Sequence, residues 1–587
     1  MKPVQFYKKT ATTARFVRNI PAESDDDELS SSDNEVAEVS SGDDTEEYEV
    51  SDQQDSSDDE QPSTSAAVGR STVWKCVTGQ SSAKSMPESA DQRASADTIK
   101  SPVEYFRYFF DSGLVEHITD HTNLYATQKD VNKPIGCSKD EIEQFLGMTM
   151  YMSIFNLPRS KMYWGKASRL SQVADVMSRD RWVELKSNLH FNDNGNMLAP
   201  DDVQRDKLFK IRPLIDSLLP KFHSLEVDHK LSVDEQIIPF KGQSGMKQYI
   251  PSKPYKWGYK VFMLCDVTGI VHNFIIYTGK IQAASNQANI GASGNIVLQL
   301  VEVLPQEKQY LLFFDNWFTS LKLLSALANR NILAVGTVRA NRLQNCKMIA
   351  DATLKKKGRG SFEEREGVVN GVEVRVVKWF DNKSVTLAST FASAEPVSTA
   401  RRWDRTTKQH IDVPRPEIIQ IYNKFMGGVD TLDAIMARYR IHMKSKKYYH
   451  RFFFHFVDLA VATGWLLYRR DCRDMGVDKR QQKDLMAFKL EIADALCREG
   501  KDMTAKKRGR PSTSMEAELQ RKKKRGPAKP VPTQDVRTDS VGHWPAHGVR
   551  QRCKRPGCKG QTVFVCTKCN ANLCLSKKSN CFRQFHE

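Results

Sequence analysis

Long apolar runs are missing from this sequence. The most apolar stretch, from Phe452 to Leu467, is interrupted by His455 and Asp458 and is shorter than the roughly 20 residues that a helix needs to span a bilayer. The residues after Met1, K-P-V-Q-F-Y-K-K, also lack the apolar centre of a secretory signal. The sequence therefore predicts a soluble intracellular protein and argues against a membrane protein.

Basic residues are absent between Arg18 and Arg70, a segment that holds ten Asp and eight Glu and few large apolar side chains. Such a composition cannot bury enough surface to offset the entropy of ordering, so residues 1–100 are expected to form a disordered acidic tail. The whole chain carries a net charge of +17, which leaves +35 on the remainder and points to a polyanionic partner.

Four serines in this tail are each followed by acidic residues: Ser24, Ser32, Ser41 and Ser57. They are candidate sites for an acidophilic kinase, whose phosphates would add negative charge and repel DNA. A solvated tail without this regulation is the simpler alternative.

Cysteine is sparse until the C-terminus. Six of the twelve cysteines are scattered, as expected for reduced intracellular thiols, and six lie in the last 35 residues. The terminal pattern is Cys553-x4-Cys558-x7-Cys566-x2-Cys569-x4-Cys574-x6-Cys581-x4-His586. Two tetrahedral zinc ions need eight ligands, and His543 or His547 could supply the eighth. A disulfide framework, or one zinc with spare thiols, remains an alternative.

Two apolar runs end in an aspartate. Leu311 to Ser320 reads L-L-F-F-D-N-W-F-T-S, and Lys260 to Asp266 reads K-V-F-M-L-C-D. Continuous apolar character predicts central strands covered on both faces. In G-G-V-D-T-L-D, Asp430 and Asp433 are three apart at a predicted helix start and would share one face.

If the chain folds over these segments, their carboxylates could hold two divalent metal ions on a phosphodiester. Taken singly, each aspartate has a simpler explanation as a turn residue or a helix cap. Trp317 either packs in the core or stacks on an unpaired base. Four lysines precede the first strand, at positions 247, 253, 256 and 260, and could neutralise a nucleic-acid backbone.

Several motifs, in the same order, closely resemble the piggyBac family of DDE/D transposases: V-D-E-Q-I-I-P-F-K-G, Y-I-P-S-K-P, C-D at 265–266, D-N-W-F-T-S, V-G-T-V-R and G-G-V-D-T-L-D. The resemblance runs from about residue 100 to the C-terminus. It implies an RNase H-like core in which Asp266, Asp315 and Asp430 hold Mg²⁺ or Mn²⁺, with Asp433 as a fourth nearby acid. In this correspondence Asp234 and Glu235 fall outside the triad and are interpreted as structural or near-site residues.

The expected architecture is α/β and multidomain. The predicted parts are an acidic tail (1–100), a helical dimerisation and DNA-binding domain (101–255 and 441–500), an RNase H-like core (256–340 and 419–440), a β-rich insertion (341–418), a basic linker (501–540) and a cysteine-rich domain (541–587). Residues 101–250 show a helical pattern, with Pro102 near a helix start. Ser138 is a second helix cap, with Glu141 three residues on. The aromatic and basic stretch after Asp433, from Arg438 onward, is predicted to be helical.

Two basic tracts, at 505–511 and 521–530, predict nuclear import. The R-G-R-P within the first resembles an AT-hook, which places arginines in a narrow minor groove.

The resemblance implies a homodimer that acts on double-stranded DNA, both the terminal inverted repeats and the target. It further implies nicking at the element end, a hairpin intermediate, joining at TTAA, and a C-terminal cross-brace domain that binds two Zn²⁺ in an interleaved arrangement. The alternatives are a domesticated nuclear DNA-binding protein that no longer transposes, and a simple RNase H-type nuclease. Retention of all four acids favours the transposase.

Overall fold

The computed structural model describes residues 72–77, 97–199, 201–251, 253, 255–279, 289–404, 407–501, 531–576 and 579–587. The acidic segment between Arg18 and Arg70 with its four serines and both basic tracts lie outside these residues, so the predictions made for them stay predictions. Within the expected tail (1–100), Trp74–Cys76 form a strand of the central sheet. Within the described chain, no helix combines the length and the apolar character needed to cross a membrane.

The helices are α1 (Pro102–Phe109), α2 (Ser112–Lys129), α3 (Lys139–Phe155), α4 (Ser171–Ala174), α5 (Arg179–Asn188), α6 (Arg212–His223), α7 (Ala292–Leu300), α8 (Leu321–Ala328), α9 (Asp351–Lys357), α10 (Glu417–Phe425), α11 (Gly428–Arg438), α12 (Tyr448–Asp474), α13 (Leu485–Arg498), α14 (Gln534–Thr538) and α15 (Cys581–His586).

The strands are β1 (Trp74–Cys76), β2 (Lys230–Pro239), β3 (Gln248–Tyr249), β4 (Trp257–Asp266), β5 (Val271–Ile276), β6 (Tyr310–Phe314), β7 (Ile332–Thr337), β8 (Phe362–Val369), β9 (Val372–Phe380), β10 (Ser384–Ser389), β11 (Ser398–Asp404), β12 (Gln409–Arg415), β13 (Pro545–Arg552), β14 (Gln561–Cys566), β15 (Leu575–Ser576) and β16 (Ser579–Asn580). The predicted mixed α/β fold is confirmed.

The first helices begin where the sequence indicates. Ser101 and Glu104 form a capping box around Pro102, and Ser138 forms a second one with Glu141. Each box satisfies two backbone N–H groups that the first helical turn leaves without partners. Both predicted helix starts are confirmed.

The central sheet has ten strands. Its order is β1-β8-β9-β10-β7-β6-β2-β4-β3, with β5 also paired to β4. The strands β2, β6 and β7 are mutually parallel, whereas β4 runs antiparallel to β2 and β5. Strands β8 to β10 join the same sheet, while β11 and β12 form a separate hairpin. Strands β8 to β10, which fall within the expected β-rich insertion (341–418), therefore extend the central sheet.

The middle strands are buried on both faces, as their continuous apolar sequence predicts. Leu312 and Phe314 of β6 pack with α7 and α8, while Leu311 and Phe313 pack on the opposite face with α10. Because both faces of β6 are covered, its carboxyl end is the place where a polar side chain can emerge.

Two predictions need correction. Strand β2 lies inside the stretch 101–250 that was expected to be helical, and it is a central strand of the sheet. Its apolar residues Leu231, Val233 and Ile237 alternate with polar ones, which is a strand pattern. The stretch from Arg438 onward is also not one helix, because residues 439–447 form an irregular segment before α12 begins.

A buried ion pair holds this irregular segment. Lys489 on α13 donates to Asp458 on α12 at 3.0 Å, and both side chains are almost fully buried. The second carboxylate oxygen of Asp458 accepts from the backbone N–H of Ile441, while Lys489 also donates to the Tyr439 carbonyl. Since every charged atom has a partner, the pair fixes the chain that leaves α11.

Candidate catalytic and metal sites

A carboxylate cluster forms where β2 and β6 lie side by side. The parallel register pairs Val233 with Phe314, so Asp234 lies beside Asp315, the residue that follows β6. Carboxylate oxygens of Asp234, Glu235 and Asp315 lie within 4.8 Å of one another. Successive side chains of a strand point to opposite faces of the sheet, so Glu235 and Asp234 lie on different faces of β2. Because β6 ends at Phe314, Asp315 lies beyond the strand and approaches both side chains.

Burial and mutual repulsion disfavour the charged state of these acids. Burial, followed by the charge of Glu235, raises the pKa of Asp234 to about 7. The same two causes raise the pKa of Asp315, against backbone hydrogen bonds from Trp317 and Phe318. Like charges this close need a positive counter-charge in order to ionise together.

Helix α11 lies along the face of β2 that carries Asp234. The carboxylate of Asp433 accepts a 2.6 Å hydrogen bond from Gln236, two residues beyond Asp234 on the same strand face. At the start of the helix, a Cβ on Gly428 would lie 2.2 Å from the Asp266 carbonyl oxygen and 2.5 Å from Ser232 Oγ. Only glycine permits this approach, which seats the first turn of α11 on the sheet.

This seating brings Asp430 toward the cluster. Asp430 lies in the first turn of α11, between the two points where the helix touches β2. Burial raises the pKa of the Tyr422 phenol to about 12, and the charges of Asp315, Asp234 and Asp430 add to the rise. The cluster of acids whose oxygens lie within 4.8 Å holds Asp234, Glu235 and Asp315. A shared site for Asp315, Asp430 and Asp433 stays a prediction.

Asp266 does not join this group. In the register of the sheet Asp266 pairs with Leu231, three residues before Asp234 on β2. Its Oδ1 accepts hydrogen bonds from the backbone N–H groups of Thr268 and Ile270 and from the Thr268 hydroxyl. It therefore closes the turn after β4, which is the alternative role that the sequence allowed.

Asp234 is the acid that sequence reasoning left out. The motif V-D-E-Q-I-I-P drew attention as a resemblance, but β2 was not recognised as a strand. The alternation of Leu231, Val233 and Ile237 is the signal that could have placed Asp234 on the face opposite the apolar one.

Basic and aromatic side chains border the cluster. Lys253 donates to the Glu235 carbonyl at 3.0 Å, and Lys260 Nζ lies 4.0 Å from the Glu235 carboxylate. The same ammonium lies 4.5 Å from the ring centre of Trp317, which stacks on Phe262 and packs against the core. Of the two roles left open for Trp317, its position favours core packing.

The donor set fits a divalent cation such as Mg²⁺, which prefers carboxylate oxygens. Glu235 Oε2 is buried and has no hydrogen-bond partner within the described residues, and the Lys260 ammonium lies 4.0 Å from it. A cation between these carboxylates would satisfy that atom and offset the repulsion that raises the pKa values of Asp234 and Asp315.

The terminal cysteines form two separate groups of four. His543, Cys566, Cys569 and His586 make one, and Cys553, Cys558, Cys574 and Cys581 make the other, each with its ligand atoms within 4.8 Å. Along the chain the groups alternate: His543 and His586 stand singly at the two ends, and the six cysteines between them alternate in pairs. This is the interleaved arrangement expected of a cross-brace, and it selects His543 as the eighth residue.

The distances fit zinc. His543 Nδ1 lies 3.4 Å from the sulfurs of Cys566 and Cys569, and Cys569 Sγ lies 3.4 Å from His586 Nε2. A tetrahedral zinc with bonds of about 2.0–2.3 Å separates its ligand atoms by roughly 3.3–3.8 Å. Asp539 contacts His543 Nε2 at 2.9 Å and so orients the imidazole.

His547 lies outside both groups. It sits on β13, where its ring packs against Phe564 at 4.9 Å.

Comparisons with known proteins agree with this architecture. A family model described as Transposase IS4 matches residues 101–465. The human PiggyBac transposable element-derived protein 3 is 31% identical over 481 residues, covering 81% of this chain and 75% of the relative. The human PiggyBac transposable element-derived protein 2 is 31% identical over 493 residues, covering 83% and 76%. The chain belongs to the piggyBac-type transposase family.

A solved structure shares the fold. The cryo-EM structure of a piggyBac transposase synaptic complex with hairpin DNA superposes with a TM-score of 0.57 at 21% identity, covering 82% of this chain and 99% of that one.

The carboxylate cluster predicts an unusual dependence of stability on pH. The folded chain keeps a proton on Asp234 up to a pKa of about 7, against a usual 3.8, so without divalent cations stability should fall as pH rises across that interval. Mg²⁺ should raise the melting temperature above pH 7. Asp234→Asn should melt higher than the native chain in the absence of metal at that pH and should respond less to Mg²⁺.

Differential scanning fluorimetry measures these effects. Asp180→Asn, at an aspartate that is 84% exposed, is the control and should behave like the native chain. A lower melting temperature for metal-free Asp234→Asn above pH 7 would contradict the repulsion inferred here.

Proposed function

We propose that this chain is a metal-dependent DNA transposase in which Asp234, Asp315 and Asp430 hold the catalytic cations. The observation that carries this proposal is the cluster of acids built by two adjacent parallel strands and completed by α11. In an α/β sheet, functional groups gather at the carboxyl ends of parallel strands, and Asp315 follows such an end.

The strand order supports an RNase H-like core. Read from β5, the order β5-β4-β2-β6-β7 consists of a three-stranded antiparallel meander followed by two strands parallel to its first. Asp234 then lies on the first strand of the core and Asp315 follows the fourth.

The chain's own residues divide the work. Asp234, Asp315 and Asp430 would bind the cations, and Glu235 would contribute a further oxygen. Asp433, held by Gln236, keeps α11 against β2. When bound, the divalent ions would activate a nucleophile and stabilise charge on the scissile phosphodiester.

Double-stranded DNA is the proposed substrate. The family membership and the net charge of +17 support it. Recognition of terminal inverted repeats, a hairpin intermediate, joining at TTAA, a homodimer and a nuclear location belong to the same proposal and rest on the resemblance of the motifs.

The C-terminal groups are proposed to bind two Zn²⁺, one with four cysteines and one with two cysteines and two histidines. With ligands interleaved along a short segment, both ions would contribute directly to the folding of that segment.

Cleavage of element-end DNA tests the catalytic assignment. The full chain, with Mg²⁺ or Mn²⁺ and a plasmid carrying the terminal repeats of its source element, should nick DNA at the element end. Asp234→Asn and Asp315→Asn should abolish nicking, because each removes a carboxylate of the cluster, while DNA binding remains.

Asp266→Asn is the matched control and should still nick. Loss of nicking in Asp266→Asn together with activity in Asp234→Asn would contradict the assignment. If the native chain binds these ends but never nicks them, it is a transposase-derived DNA-binding protein instead.

Metal analysis tests the C-terminal assignment. The native chain should contain two zinc ions per molecule by plasma mass spectrometry. His543→Ala should lose one, because it removes a ligand of one group only. His547→Ala, four residues away, should retain both. Equal zinc content in the two variants would contradict the ligand set.

A further inference from the structure

A second site lies at the opposite end of the parallel strands from the carboxylate cluster. A cavity of about 750 Å³ opens at the amino ends of β2 and β6, between the sheet, α11 and α12. It includes Asp266, the acid that the catalytic cluster does not use. Its volume is typical of pockets that bind small molecules.

One wall of the cavity is basic. Arg438 on α11 and Arg469, Arg470 and Arg473 on α12 line it. Arg470 contacts Asp471 at 3.4 Å, and Arg469 lies over the ring of Trp465. Within the described chain, the guanidinium groups of Arg438, Arg469 and Arg473 form no ion pair and no side-chain hydrogen bond. Three guanidinium groups around one cavity, those of Arg438 and Arg473 on exposed residues, are therefore available to bind an anion.

The other wall is acidic. Asp228 and Asp266 lie there, and Glu226 and Glu307 also line the cavity. Burial raises the pKa of Asp266 to about 6, and the nearby charge of Asp228 adds to the rise. Carboxylates are acceptors only, so this wall suits hydroxyl or amino donors. It would repel a second run of phosphates, which argues against a duplex DNA backbone as the occupant.

Helix α11 keeps the two sites apart. Thr431, Ile435 and Arg438, which line the cavity, recur at helical spacing on one side, whereas Asp430 and Asp433 belong to the side that faces β2. The cavity is therefore distinct from the carboxylate cluster.

We propose that this cavity binds a phosphorylated small molecule with hydroxyl groups, of nucleotide size. Its phosphates would contact Arg438, Arg469 and Arg473, and its hydroxyl groups would donate to Asp228 and Asp266. This assignment does not depend on catalysis at the carboxylate cluster.

Isothermal titration calorimetry of the full chain tests the proposal, with ATP, GTP, adenosine and tripolyphosphate as probes. At least one nucleoside triphosphate should bind with a Kd below about 1 mM, and adenosine, which lacks phosphate, should not. The double variant Arg469→Gln/Arg473→Gln should weaken binding at least about tenfold, since each guanidinium would make charge-assisted hydrogen bonds.

Two further variants make the test specific. Arg179→Gln removes an exposed arginine on α5, which pairs with its neighbour Asp180, and should leave the affinity unchanged. Asp228→Asn should weaken the nucleotide but not tripolyphosphate, because only the nucleotide has hydroxyl groups to donate, and tripolyphosphate would gain from the lost negative charge.

Three outcomes would overturn the proposal. They are no nucleotide binding below 1 mM, binding that Arg469→Gln/Arg473→Gln leaves unchanged, and an Asp228→Asn effect of equal size on both phosphate probes. Loss of duplex DNA binding in the arginine variant, with no nucleotide binding by the native chain, would assign this wall to the DNA surface and would also overturn it.

Discussion

The parallel pairing of β2 with β6 is the constraint on which the site depends. It sets Asp234 at the level of Asp315, and a shift of one residue would turn Asp234 to the other face of the sheet. The register is fixed by burial, since Leu231 and Val233 pack on one face with Leu312 and Phe314. The apolar core therefore positions the acids, although their like charges repel one another.

Helix α11 adds what the strands cannot supply. Its approach at Gly428, its hydrogen bond from Gln236 to Asp433, and the buried pair of Asp458 and Lys489 beyond its end fix its direction. One side of the helix then serves the carboxylate cluster and the other lines the arginine-rich cavity. A single short helix thus couples the placement of two chemically different sites.

The sequence predicted much of this arrangement, for identifiable reasons. Caps at Ser101 and Ser138, the buried strand before Asp315 and the start of α11 are local signals, and each is found where the pattern placed it. Seven of the eight candidate terminal ligands also follow from spacing, whereas the choice between His543 and His547 for the eighth needed the fold. Strand β2 was missed because its acidic pair interrupts the apolar alternation, and with it Asp234 was missed.

Asp266 looked equivalent to Asp315, since each lies at the end of an apolar run. Only the strand pairing reveals that β4 runs antiparallel to β6. The carboxyl end of β4 therefore lies beside the amino end of β2, away from the carboxyl end of β6.

Crystals of the chain soaked in Mn²⁺ and measured for anomalous scattering would test the central claim most directly. Manganese peaks should lie between the carboxylates of Asp234, Asp315 and Asp430, with none bound by Asp266. Peaks on Asp266, with the cluster around Asp234 empty, would contradict the account.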